Sequence, residues 1–213
     1  MTLAVVEQAS LTGMKRPPDP QSISEAQSRD DWPRWADAQA DEMQAMIDLG
    51  VWVIVGGRGN VPKGKNILKS KGVWKLKYTD TGDIDKYKFR LTACGYSQIY
   101  GSDFSETHAG VVSMPVFRLF CGMVAALNLK TRLYDVGNAF LECDLEEELY
   151  MQLPTYLGGE VVRLRKAIYG LKQSGMLFVK TMATYLKSLG FQQSRTEPCM
   201  FTLITRIDDA PPE

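Results

Sequence analysis

The feature that most restricts the folds open to this chain is an alternation. Trp74, Leu76 and Tyr78 are interleaved with Lys75 and Lys77; after the polar segment Thr79-Asp80-Thr81-Gly82-Asp83, the series Tyr87, Phe89, Leu91 and Ala93 follows the same rhythm around Lys86, Lys88 and Arg90. Successive side chains of a strand point to opposite faces, so this spacing predicts a hairpin over 73–93 with one apolar and one basic face. Lysines at that density either blunt a sheet edge or meet an anionic partner, and the pattern alone leaves both readings open.

Flanking segments carry the helical period. Pro33 suits a first turn, Gly50 suits a position just past the end, and Trp35, Met43, Met46, Ile47 and Leu49 between them recur at steps of three and four. VWVIV at 51–55 reads as a strand. A helix is expected over 115–128, opened by Pro115, with Phe117, Phe120, Cys121, Val124 and Leu127 on one stripe. Another is expected over 174–189, with Phe178, Met182, Tyr185, Leu186 and Leu189 on one face and Gly190 closing it. Short strands are expected at 132–136 and 199–204. Strands and helices mix without a regular βαβ order, which favours the α+β class. Residues 1–29, with Pro17, Pro18 and Pro20 among Gln, Ser and Asp, read as a disordered linker, leaving 30–213 as one domain.

Composition narrows the function classes. The 213 residues are 45% apolar and 23% charged, which is globular. The 25 basic and 25 acidic residues cancel. That argues against a uniformly basic nucleic-acid-binding domain but not against a local basic face, and the lysines do crowd between Lys63 and Arg90. Cys94, Cys121, Cys143 and Cys199 include no C-x-x-C pair and fit no zinc module, and His108 is the single histidine. A reducing, intracellular compartment is the simplest expectation: cytoplasm, an intracellular particle or the nucleus, not secretion. No apolar run reaches the ~20 residues needed to span a bilayer, and the N-terminal segment is a poor signal peptide.

Two motifs invite chemistry. Gly59-x4-Gly64-Lys65 superficially resembles a phosphate loop, but Asn66 replaces the Ser or Thr that binds Mg²⁺, Pro62 removes an amide, and a strand is expected to follow. It reads as a surface loop. Asp135 closes the apolar segment 132–136 and precedes Val136-Gly137-Asn138-Ala139-Phe140. An acid at a strand end can hold a divalent ion, though alone it is more often a cap or turn residue.

In company with other blocks Asp135 gains meaning. Trp35-Ala36, Glu42 and Trp52 are followed by Lys86-Tyr87-Lys88-Phe89-Arg90-Leu91, Gly95-Tyr96 and Gln98. Then come Gly101-x-Asp103-Phe104-x-Glu106-Thr107, Val111-Val112 and Arg118. Asp135-Val136-x-Asn138-Ala139-Phe140-Leu141 leads to Asp144-Leu145, Glu147, Tyr150-Met151 and Pro154. Arg163-Leu164, Lys166, Tyr169-Gly170-Leu171-Lys172-Gln173, Gly190-Phe191, Cys199 and Phe201 close the series. In this order the blocks resemble the reverse transcriptases of copia-like LTR retrotransposons, over roughly residues 23–204. The Asp135 and Tyr169 runs are the most specific.

The resemblance implies a fold of fingers and a partial palm, an antiparallel sheet packed on helices. It implies RNA-directed DNA synthesis from dNTPs with two Mg²⁺ ions, on an RNA template and a DNA primer, within a Pol polyprotein carrying integrase upstream and RNase H downstream, and no membrane partner. By resemblance Asp135 is the first metal-binding carboxylate and Val136 offers a carbonyl to the same metal. Phe140 is the wall under the deoxyribose, Gln173 lies near the dNTP sugar, and Lys88 or Arg90 meets the triphosphate. Each has a plain counterpart: Phe140 as core, Gln173 as a helix-start hydrogen-bonder, Lys88 and Arg90 as solvated strand residues.

The family's other two carboxylates form an adjacent Asp pair on a later hairpin, beyond the Cys-x-Phe block. The chain is expected to be cut before them. Asp208-Asp209 precedes Ala210-Pro211-Pro212, which cannot continue a paired strand, and so reads as a loop. With one carboxylate against two dications the chain alone is expected to be inactive. Residual RNA or DNA binding, or a non-functional remnant, are the competing readings. Within the blocks, Gly72 stands where the family has Trp, Cys94 for Lys, Gly110 for Pro, Cys143 for Gly, Met176 for Arg and Phe178 for Trp. The gap at Gly72 is expected to cost about 3 kcal/mol or more.

Overall fold

The computed structural model describes residues 17–204. They form two compact units, one from the segment up to Ala45 with Gly72–Leu91, the other from Met46–Lys71 with the chain from Thr92 onward.

The first unit is built on the hairpin. β3 (Ser70–Tyr78) pairs with β4 (Ile84–Ala93), and the turn between them closes with the Thr79 amide donating to the Asp83 carbonyl at 2.9 Å. The alternation does what its spacing predicts: Trp74, Leu76, Phe89 and Leu91 are buried while Lys75, Lys77 and Lys86 are exposed. The Trp74 and Phe89 rings pack at a tilt of 58°, centroids 5.3 Å apart. Helix α2 (Trp32–Asp48) brings Trp35, fully buried, edge-on to Tyr87 at 4.6 Å. Asp31 ties these parts together: it accepts from Trp35 Nε1 at 3.1 Å, from the Tyr87 hydroxyl at 3.2 Å, and from both arms of Arg29 at 2.9 Å. The Arg29 guanidinium holds the Asp31 carboxyl below the usual range, against the opposing effect of burial.

The linker reading needs correction over its second half. Residues 1–16 lie outside the described residues, but from Pro17 onward the chain has structure. Helix α1 (Ile23–Gln27) is capped by Ser22, whose hydroxyl accepts from the Glu25 amide at 3.1 Å. Asp19 accepts from the Leu76 amide at 2.7 Å and from Lys75 at 2.6 Å. A proline-rich polar segment buries little surface, but here its acid and carbonyls supply partners to an otherwise open strand.

The second unit centres on a four-stranded sheet of order β1-β6-β5-β2, from β1 (Trp52–Gly56), β2 (Ile67–Leu68), β5 (Asp144–Gln152) and β6 (Val161–Lys166). β6 runs antiparallel to both neighbours, and β2 parallel to β5. Leu149, Met151, Val162, Leu164 and Ile168 form its buried core. The β5–β6 register breaks between Asp144 and Leu149, where the acidic residues Glu146, Glu147 and Glu148 bulge out of the ladder. Helix α4 (Ser174–Ser188) follows β6, and β7 (Gln192–Gln193) pairs with β8 (Phe201–Thr202). No described helix is long and apolar enough to cross a membrane. Mixed helix and sheet without βαβ alternation is the α+β class expected.

Three expectations fail in this unit, wholly or in part. Residues 132–136 form no strand: Leu133 is 98% exposed and Tyr134 79%. A strand exists only as half of a ladder, and no described segment pairs with this one. Helix α3 (Met114–Leu127) forms as expected, but its apolar stripe buries none of its residues. The last expected strand shrinks to the two residues of β8.

Candidate functional site

Asp135 lies in the irregular segment after α3, exposed to solvent. Next to it the backbone turns sharply. Gly137 and Asn138 form a turn, Asn138 takes the left-handed conformation at φ 52°, and a 3-10 turn follows over Ala139–Glu142. An Asn tolerates this conformation better than most residues. The turn is anchored from below: Leu141 is fully buried, and Phe140 meets Tyr169 edge-on at 4.9 Å and Phe178 at 6.3 Å. Cys143, Ala167 and Leu177 complete this small core, and burial pushes the Cys143 thiol up. Phe140 is thus half-buried and locked by neighbours, two residues past the turn that exposes Asp135 and Val136.

Gln173 is fully buried, and both ends of its amide are committed. Nε2 donates to the Asp103 carbonyl at 2.9 Å, and Oε1 accepts from Gln98 Nε2 at 2.9 Å. As folded it offers neither atom to a ligand. Its partners extend the network: the Lys172 amide donates to Gln98 Oε1 at 2.8 Å, and the Asp103 carboxylate accepts from Asn66 at 2.6 Å and from the Ile99 amide at 2.9 Å. Gln98 and Asp103 are themselves buried. Gln98, Asp103, Lys172 and Gln173 stand in the sequence blocks quoted above, but no spacing marks them as one unit, because the bonds from Lys172 and Gln173 to Gln98 and Asp103 cross 70 or more positions. Gly95 and Gly170 let the two loops meet. A Cβ at Gly170 would lie 2.1 Å from the Ala93 carbonyl oxygen, and one at Gly95 would lie 2.1 Å from that of Gly170.

Lys88 and Arg90 belong to the hairpin unit, both half-buried. Burial, then the neighbouring Arg90, Lys77 and Lys86 charges, push the Lys88 ammonium below its ordinary value, while Glu42 pulls it back. A bound anion would relieve that crowding. The loop 59–65 is a surface turn followed by strand β2, so it is no phosphate loop, and Lys65 pairs with Glu148 at 3.0 Å.

The donor set does not make a metal site by itself. Asp135 is one exposed carboxylate, and among the described residues no group of three His, Cys, Asp or Glu is placed to hold an ion. Mg²⁺ prefers several oxygen ligands, so a pair of ions needs more acids than are gathered here. Asp208 and Asp209 lie outside the described residues.

Comparison with known proteins shows the family of the chain. Residues 50–207 match the family described as reverse transcriptase (RNA-dependent DNA polymerase). The chain belongs to this family, in its copia-like branch. The Retrovirus-related Pol polyprotein from transposon TNT 1-94 of Nicotiana tabacum is 34% identical over 86% of the chain, and that from transposon RE2 of Arabidopsis thaliana is 34% identical over 80%. The Truncated transposon Ty1-A Gag-Pol polyprotein of Saccharomyces cerevisiae is 39% identical over 68%. The chain spans only 14%, 12% and 12% of the lengths of these three relatives. No solved structure matches it.

Proposed function

We propose that this reverse transcriptase chain supplies the fingers and part of the palm of a copia-type polymerase, which copies an RNA template into DNA from dNTPs with Mg²⁺ when the rest of a Pol polyprotein is present. The observation that carries the reading is the local build at 135–141. A solvent-facing acid stands on a tight left-handed turn whose far side is nailed down by Leu141 and by Phe140 against Tyr169.

Asp135 contributes one carboxylate oxygen donor and Val136 a carbonyl beside it. Phe140 presents a fixed ring that excludes a 2′-hydroxyl by volume. Lys88 or Arg90 neutralises phosphate charge from the hairpin, where Lys88 already lacks full solvation. A sugar contact by Gln173 requires the Gln98–Gln173 pair to open, so its first role is to hold the Lys172 loop. Further acids must come from chain beyond the described residues, and without them two dications would repel each other across a single negative charge.

Primer extension on an RNA template with Mg²⁺ tests this. The 213-residue chain is expected to incorporate no nucleotide. A chimera continued with the corresponding downstream segment of the tobacco relative is expected to extend the primer, and Asp135→Ala is expected to abolish that extension. Extension by the chain alone, lost on Asp135→Ala, contradicts the incompleteness. Extension by the chimera that survives Asp135→Ala contradicts the assignment of the site.

A further inference from the structure

One loop of the second unit displays large aromatic rings to solvent on an unusually well-tied backbone. Tyr100 is 74% exposed, and its ring stands edge-on to Phe104 at 5.6 Å. The Lys172 ammonium sits 4.5 Å over the Phe104 ring. We propose that Tyr100, Phe104 and Lys172 form a platform on which an unpaired base of a single-stranded nucleic acid stacks, with the lysine meeting the adjoining phosphate. The inference rests on the reading that this chain handles nucleic acid, and adds to it a surface that none of the residues assigned above provides.

The platform is preorganised. The Gly101 amide donates to the Phe104 carbonyl at 2.9 Å, and a bridge joins Tyr100 to Phe104. The Asp103 amide donates to the Ile99 carbonyl at 2.8 Å, and its carboxylate takes the Ile99 amide in return. Lys172 is held from the other side by the bond from its amide to Gln98. A ligand therefore meets rings that lose little freedom on binding.

The chemistry selects the partner. A purely apolar ligand would gain nothing from a cation at the rim, and a purely anionic one would gain nothing from two rings. A nucleotide strand uses both: every base has a face that stacks on an aromatic ring, and every linkage has a charge that a lysine offsets. The acid within the loop does not oppose a phosphate, because the Asp103 carboxylate is turned inward onto Asn66 and the Ile99 amide and is only 3% exposed. Tyr96, 79% exposed four residues earlier in the loop, offers a further ring for a neighbouring base.

The test is fluorescence anisotropy at low salt with the full chain and three labelled 12-mers: oligo-rU, oligo-dT and an abasic strand with the same phosphates. Tyr100→Ala is expected to weaken binding of a base-bearing strand about tenfold. Tyr100→Phe, which keeps the ring, is expected to stay within about twofold of the parent, and Lys172→Gln to weaken binding and flatten its salt dependence. A Tyr100→Ala loss on either base-bearing strand supports the platform, and the strand that suffers names its source. Equal losses on the abasic strand overturn base stacking. Parent binding that Tyr100→Ala leaves unchanged overturns the platform while the nucleic-acid reading stands; a folded parent that binds none of the strands overturns both. Photocrosslinking of 5-iodouridine oligomers gives a second readout. Adducts are expected within 96–104, and adducts confined to other segments overturn the assignment.

Discussion

A single methyl group added at Gly170 would meet the Ala93 carbonyl oxygen at 2.1 Å and Thr92 Cγ2 at 2.6 Å, on a backbone at φ +89°. Neither the carbonyl nor the left-handed backbone can yield cheaply, so Gly170→Ala is expected to cost roughly 3 kcal/mol or more, read as a fall in the urea midpoint. An unchanged midpoint would remove the argument that these two loops are fixed by close backbone contact. Glu42 makes a different kind of statement. Burial pushes its carboxyl above the ordinary 4.5, only partly countered by Lys88, Arg90 and the Leu91 amide, and its Oε1 is buried without a hydrogen bond. A carboxyl raised in the fold favours folding while it is protonated. That stabilising share is complete below the unfolded value and is lost as pH rises through the folded one. Glu42→Gln should therefore gain stability relative to the parent as pH climbs from about 4 to about 8, measured as the difference between two denaturation-midpoint series; parallel series would show that Glu42 is solvated. Three of the six residues that depart from the expected pattern share one place. Cys143, Met176 and Phe178 meet in the one small core that seats Phe140.

At the scale of elements, what could be read from the sequence was whatever a segment decides for itself. The 3–4 spacing and Pro33 marked α2, and the alternation with a polar turn marked β3 and β4, because period and turn chemistry are local. The strand expected at 132–136 was a local inference about something not local: its apolar residues suit a strand, but only a neighbour makes it one. Helix α1 carries a local capping signal, Ser22-x-x-Glu25, that the proline-rich composition overrides, whereas Asp19 acts through the distant Leu76 amide, which no local pattern reveals. The site divides the same way. Asp135, Val136 and Phe140 are adjacent in sequence and came as a block. Gln98, Asp103 and Gln173 are joined only by folding, so the glutamine was legible as a motif residue but not as a buried network member. Helix α3 extends the lesson into a prediction. A 14-residue helix with no buried residue draws little support from packing, and isolated helices of that length are marginal in water. Hydrogen exchange should therefore find the α3 amides the least protected of the three long helices, with the centres of α2 and α4 slower by about tenfold or more. Equal protection in α3 and α4 would mean that α3 has a partner in solution.

For the whole molecule, the largest physical fact is the apolar surface that α3 and the segment after it leave open. Phe120 is 54% exposed, Leu127 63% and Leu133 98%, and Phe117, Phe120, Val124, Leu129 and Leu133 line a groove of about 540 Å³. Contiguous apolar surface of this kind is uncommon on isolated soluble domains and marks either an interface or an aggregation hazard. Beside it, residues 130–136 form no helix or strand and make no backbone–backbone hydrogen bond among the described residues, which leaves a template that a second strand could add to. The two features act in one direction, because a partner that pairs with the backbone also covers the helix. Light scattering and sedimentation should accordingly show concentration-dependent self-association of the 213-residue chain at micromolar levels. Replacing Phe120 by Ser together with Leu133 by Lys should suppress it while leaving the unfolding free energy within about 0.5 kcal/mol of the parent's, since neither side chain supports a core in the folded chain. The pairing matters to the interpretation: a double variant that stays monomeric but unfolds early would show that the stripe is inner surface already in use, whereas a parent that remains monomeric at high concentration would show that the groove is closed in solution by the chain itself.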